Sequence, residues 1–329
     1  MIDVHAHLYC EPLLDFLRSN PATAAGAKRA ELPGASDSDA HLAERLRLMD
    51  EAGVSRQLLC CPPAPYPSDR GQGSALAAAV NDATARFVAR APNRFLGLAS
   101  LPLPHVAESL AELERNIGRP GMAGVMLLCF CGALSVADEE FAPIFEAMDR
   151  AGSLLLLHPC VNGVCSPFIT EWGLAGAFGP TVEDTTIVLH LLARKIPDRF
   201  RRIRIIVPHF GGSLPMLLER LDHQLQAGTG PLPEAPSATC RRLWYDSVSH
   251  GSTAALACAA SAFGADRLLV GSDFPFLTQY EPYRETVGYV RRAGLSRDDL
   301  ERVESGNATA LLDIEHVLVP GDSGPRNDK

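Results

Sequence analysis

Ile2-Asp3-Val4-His5-Ala6-His7-Leu8 opens the chain. It is an aliphatic, β-branched run of strand length with two histidines two residues apart. Seven further runs of the same kind follow, at residues 56–61, 95–100, 123–128, 153–158, 203–208, 243–247 and 267–272. Amphipathic stretches with helical period separate them, among them residues 40–52, 73–90, 183–195 and 253–263. Strands that alternate with helices pair in parallel, and eight of them close a barrel. The sequence therefore predicts an α/β fold, a (β/α)8 TIM barrel. An open doubly wound sheet is the alternative, weakened because no Gly-rich phosphate fingerprint follows the first strand.

Two connections are long for such a fold. Residues 9–39, rich in Pro, Ala and Gly, follow strand 1, and residues 160–182, carrying Phe168, Trp172 and Phe178, follow strand 5. Long loops at the catalytic end of a barrel are more often pocket walls than passive linkers. No internal repeat appears. Residues 1–319 read as a single domain, and the polar, Gly/Pro-rich residues 320–329 as a flexible tail.

The composition fits a globular protein with a large core: 47% of the 329 residues are hydrophobic and 21% charged. A net charge of −9 argues against nucleic acid or an anionic membrane surface as partner. No apolar run is long enough to span a bilayer, and the amino terminus lacks the pattern of a signal peptide. The nine cysteines form no CxxC pair and several sit in apolar runs. That usage predicts free thiols in a cytoplasmic compartment.

The chemistry lies at the strand ends. His5 and His7, at i and i+2, project from the same face of a strand, where a barrel's catalytic mouth would receive both. Taken alone, they could equally be polar residues on an exposed face. His158 ends Leu154-Leu155-Leu156-Leu157 and precedes Pro159; a core histidine bonded to backbone is the ordinary alternative. His209 ends Ile205-Ile206-Val207-Pro208 and runs into Gly211-Gly212. Asp273 follows Gly271-Ser272 and precedes Phe274-Pro275, where a helix N-cap is the alternative. Separate structural explanations would have to hold for all five residues, whereas one metal site accounts for them together. Imidazole and carboxylate ligands suit Zn2+, with Mn2+ or Fe2+ as competitors. Paired-metal barrels often bridge their ions with a modified lysine at the end of strand 4. The only lysines are Lys28, Lys195 and Lys329, so one metal is expected.

His5-x-His7, His158-Pro159, His209-Phe210-Gly211-Gly212 and Gly271-Ser272-Asp273-Phe274-Pro275 together resemble the amidohydrolase superfamily. In particular they resemble the branch named for aminocarboxymuconate-semialdehyde decarboxylase. Residues 45–54 also look like that family's first helix and turn. The resemblance implies cofactor-free, non-oxidative decarboxylation, with hydratases and hydrolases of lactones, esters or amides as minority members. It implies that His5, His7, His158 and Asp273 bind the metal and that His209 acts as acid/base, with Asp273 a second catalytic residue. The proton for the reacting carbon would come from Asp273 or from a water handled by His209, and both routes stay open. A homodimer is implied as well. One departure matters: the muconate-semialdehyde enzymes hold a second carboxylate with arginines, one of them after the helix that follows strand 6. Residues 224–240 contain no Arg or Lys here. The expected substrate is therefore a small carboxylic acid of salicylate type, or else a muconate-like one. Lys28, Arg29, Phe168, Trp172 and Phe276 are the candidate residues to contact it.

Overall fold

Each of the eight runs forms a strand close to its expected place in the computed structural model, which describes residues 1–21, 23–160 and 166–312. They are β1 (Ile2–His7), β2 (Arg56–Cys60), β3 (Phe95–Ser100), β4 (Met122–Leu128), β5 (Leu154–His158), β6 (Arg204–Val207), β7 (Trp244–Asp246) and β8 (Leu268–Leu269). Neighbours in sequence are neighbours in the sheet, and the pairs are parallel. The ring closes between β8 and β1: the Val4 N–H donates to Val270 O at 2.9 Å and the His7 N–H to Phe274 O at 2.6 Å. Sequential order with closure makes this a (β/α)8 barrel and excludes the doubly wound sheet.

The strands read as unbroken apolar runs because both of their faces are buried. Val4, Leu58, Leu98, Met126, Leu156 and Leu269 pack in the barrel interior, and Ala308, Leu311 and Leu312 of the helix Asn307–Leu312 join the same cluster. The alternate residues Leu59, Leu127, Leu155, Leu157, Val207 and Val270 pack with the outer helices. One strand pair was not predicted, an antiparallel hairpin of Phe130–Cys131 with Leu134–Ser135. Strands of two residues are too short to leave a period-2 signal.

The loop after β1 is itself folded. Leu13, Leu14 and Leu17 of the helix Glu11–Ser19 pack with Val80 and Ala83 of the helix Arg70–Arg90. The loop after β5 carries the short helices Pro167–Thr170 and Leu174–Ala177, then the helix Gly179–Ala193, which starts four residues earlier than expected. The expected boundary between domain and tail lies outside the described residues. Among the described residues no helix is long and apolar enough to cross a membrane.

Candidate active site

A bulge in β1 aims its histidines. Asp3 pairs with Gln57 and Ala6 with Leu59, so three steps along β1 match two along β2. The extra residue reverses the alternation. Before it, Ile2 and Val4 pack in the interior; after it, Ala6 and Leu8 face the outer helices, which turns His5 and His7 inward. Asp3 secures the bulge. One of its oxygens accepts the His5 N–H at 3.2 Å, and the other accepts Ser272 Oγ at 2.6 Å, Tyr283 OH at 2.8 Å and Gln57 Nε2 at 3.1 Å. Burial pushes this carboxyl's pKa up, against those bonds.

Each histidine of the proposed ligand set is held through Nδ1. The His5 Nδ1 meets Asp246 Oδ2 at 2.7 Å, the His158 Nδ1 meets Pro159 O at 2.8 Å, and the His7 Nδ1 meets Cys61 O at 3.3 Å. The Nε2 atoms therefore converge. His5 Nε2 lies 3.0 Å from His158 Nε2, and His7 Nε2 lies 2.8 Å from Asp273 Oδ1. One ligand atom from each of His5, His7, His158 and Asp273 falls within 4.8 Å of all the others. Rings that donate from Nδ1 present a lone pair at Nε2. Two such lone pairs 3.0 Å apart repel unless a cation lies between them. The donor set thus fits a divalent metal. Burial, with His7 and His5 beside it, holds the His158 pKa well below its ordinary value and keeps that ring neutral, as ligation requires. Burial works against a charged His5 too, but the Asp246 and Asp273 carboxylates outweigh it and raise its pKa. Asp273 pays the same burial penalty, yet the hydrogen bond and charge of His7 hold its carboxyl well below the usual range.

His209 stands beside this set without belonging to it. Its backbone N–H donates to Asp246 Oδ1 at 2.9 Å, and its Nδ1 meets Asp184 Oδ2 at 2.8 Å. Burial lowers the pKa of His209, but the carboxylates of Asp184 and Asp246 carry it up to about 9. Burial pushes the Asp184 carboxyl up to about 6, against the pull of His209. The backbone here is strained: His209, Phe210 and Asp273 have φ of 51°, 54° and 54°. The glycines after Phe210 have no room for a side chain. A Cβ on Gly212 would fall 2.1 Å from Thr181 O, so its absence lets the helix Gly179–Ala193 pack close enough to bring Asp184 to His209. A Cβ on Gly271 would likewise fall 2.8 Å from the Asp246 Cβ.

Two residues escaped the sequence reading. Asp246 ends β7 as Asp273 follows β8, so the strand-end argument could have found it. Asp184 offered no such signal, because an acidic residue early in a helix reads as an exposed one; here it is fully buried.

His209 and Asp273 open on a cavity of about 550 Å3 whose walls include Phe276, Phe210, Val248 and Leu277. Phe276, expected at the substrate, lies on that wall. Arg29 packs against it, its guanidinium 4.7 Å from the Phe276 ring centre, and lines a second cavity with Tyr9 and Pro62, while Lys28 is exposed and lines none of the described cavities. Phe168 and Trp172 depart from expectation. They are 85% and 92% exposed, and their loop supplies the wall through Gly176, Ala177, Pro180 and Thr181 instead. Phe168 sits on the short helix Pro167–Thr170 and Trp172 in the turn that follows, at φ 59°, and neither lines the described cavities.

A family model described as Amidohydrolase matches residues 2–314. The chain belongs to the amidohydrolase family. Among its relatives, a gamma-resorcylate decarboxylase from Polaromonas is 27% identical to this amidohydrolase over 82% of the chain and 86% of that protein. A 2-amino-3-carboxymuconate-6-semialdehyde decarboxylase from Dictyostelium discoideum is 27% identical over 61% of the chain, a match that spans only 56% of that protein's length. In three dimensions the amidohydrolase aligns with 5-carboxyvanillate decarboxylase from Sphingomonas paucimobilis at a TM-score of 0.83 and 26% identity, covering 95% and 98% of the two chains. A Polaromonas dihydroxybenzoic acid decarboxylase solved with bound manganese shares the fold, at a TM-score of 0.79 and 22% identity over 96% and 98% of the chains.

Proposed function

We propose that this amidohydrolase is a carboxy-lyase that releases CO2 from a hydroxylated aromatic acid without oxidation. The observation that carries the reading is the convergence of three imidazole nitrogens and one carboxylate oxygen within 4.8 Å, at a mouth that opens on an apolar cavity. The reactions named for the aligned relatives support the same class. His5, His7, His158 and Asp273 would hold the ion. Once bound, a divalent metal would supply Lewis-acid chemistry that anchors the acid and draws charge from its ring. Zinc suits an imidazole-rich set; manganese is the competing choice, and elemental analysis of the purified protein decides between them.

The remaining work falls to side chains. A proton adds to the ring carbon that bears the carboxylate. The bond between that carbon and the carboxylate then breaks, its electron pair restores the aromatic ring, and CO2 leaves. His209 holds the proton: Asp184 on Nδ1 stabilises the protonated ring and leaves Nε2 for the cavity. Asp273, on the same wall, is the second group able to pass a proton. Each turnover consumes one proton, which His209 regains from solvent. The apolar wall of Phe276, Val248 and Leu277 favours the step, since a carboxylate loses its charge as CO2 forms.

Incubation of a salicylate-type acid in D2O tests the reading. Release of CO2 with deuterium at the vacated ring carbon is the expected result. Uptake of labelled oxygen from water without CO2 would replace decarboxylation by hydrolysis or hydration. The homodimer and the cytoplasmic location belong to the same proposal. The second has the support of buried thiols such as Cys10, Cys60 and Cys129, which form no disulfide among the described residues; light scattering tests the first.

A further inference from the structure

The cavity beside His209 and Asp273 exceeds what the reaction needs. Its volume of about 550 Å3 lies among pockets that bury drug-sized ligands, roughly 300–1,000 Å3, and is several times that of a bare single-ring acid. The space extends to the turn after β6, through Pro215 and Met216, and to the helix Thr253–Phe263, through Ala254 and Cys258. Met216 is 74% exposed, so an apolar side chain at this wall has most of its surface still to bury. No Lys or Arg is among the lining residues. The basic side chain on the wall besides His209 is His250, whose Nδ1 lies 3.8 Å from Glu281 Oε1. With Asp273 also facing the space, a second anion would find no free cation among the described lining residues; Arg29, against Phe276, lines a different cavity.

Resting on the decarboxylase reading, we propose that the substrate is a hydroxybenzoate with an apolar substituent of several carbons on the ring edge away from the carboxylate. Ala254 and Cys258 set the room for that substituent. The carboxylate and its neighbouring hydroxyl face the His5–Asp273 cluster, and the substituent extends along Met216 towards the helix. Small side chains at 254 and 258 keep the channel open, and each buried methylene adds apolar contact.

The experiment uses the metal-loaded full chain and salicylates carrying alkyl groups of one to six carbons at ring positions 4 or 5. The kcat/KM is expected to rise with each methylene until the groove is filled, by at most about fourfold per step, the limit for a fully buried CH2, because Ala254 and Met216 leave the groove partly open. In Ala254→Trp the ratio of kcat/KM for the hexyl over the methyl acid should fall towards one. Binding of the matching alkylphenols, followed by calorimetry on the wild-type protein, supplies a readout independent of turnover and of whether that variant folds. A flat or falling chain-length series with CO2 still released overturns the substituent and leaves the decarboxylase reading intact. Absence of CO2 from every acid, with alkylphenol affinity still rising along the series, overturns the reaction and supports the channel. Absence of both overturns both.

Discussion

At the scale of single residues, Asp246 is the anchor of the site. One of its oxygens holds the His5 imidazole and the other holds the His209 backbone, so a single buried carboxylate positions both a proposed metal ligand and the proposed proton carrier. Carboxylates behind a ligating histidine fix its tautomer and raise its basicity, and their loss typically costs 10–100-fold in metal affinity. Asp246→Ala is expected to weaken metal binding by about that factor, as read by competition with a chromogenic chelator. His209→Gln separates the two roles. It should keep a full complement of metal and lower kcat by roughly 10²–10⁴, the usual contribution of a positioned acid/base. Metal analysis alongside CO2 release checks it, and a variant with wild-type turnover would remove His209 from the chemistry.

At the scale of elements, the β-strands position the ligands, but a helix residue fixes the end of β1. Arg45, on the helix Asp39–Ala52, is fully buried. Its guanidinium donates to His7 O at 2.6 Å, Gly34 O at 2.7 Å and Gln57 Oε1 at 3.1 Å, and lies 4.6 Å from the Phe274 ring centre. It therefore ties the β1 exit, the first long loop and the β8 exit together. Burial lowers its pKa to about 10, leaving it charged at neutral pH. Removing it deprives several buried carbonyls of their donor, and Arg45→Ala should cost at least about 1–3 kcal/mol, the range for leaving a buried acceptor unsatisfied. Denaturant unfolding measures that cost, and a loss under 1 kcal/mol would show that the carbonyls find other partners. The sequence stretch around Arg45 was recognisable only by resemblance, because an arginine on an amphipathic helix reads as surface until its carbonyl partners are known.

At the scale of the whole molecule, strand count and order were legible because a buried parallel strand carries its own signature, a short apolar run closed by polar residues. Residues 154–158 illustrate it: four leucines and then a histidine, which together predicted a strand, found here, and placed His158 in the cluster that could hold a metal. The bulge left no such mark, since Val4-His5 reads as ordinary alternation. The predicted same-face geometry of His5 and His7 was right, while the phase that turns them inward came from the pairing with β2. Loop aromatics misled for the opposite reason: hydrophobicity says that Phe168 and Trp172 want a partner, not which side they face. A cluster that joins β1, β5 and β8 also links metal to global stability. Stripping the ion with a chelator should lower the melting temperature, and readdition should restore it. A ligand present at about 1,000 times its Kd stabilises the folded state by about 4 kcal/mol. An unchanged melting temperature after verified removal would show that the three strand ends hold their places unaided.

The bulge in β1 works as a phase shifter. Below it, the strand is a packing element whose side chains fill the interior; above it, the same strand is a coordination element, offset by one residue of chain. Because the shift falls between the two, the hydrophobic floor of the barrel and the donor atoms of its mouth can each keep their own registration with the neighbouring strand, and substitutions that repack Ile2 or Val4 need not turn either imidazole.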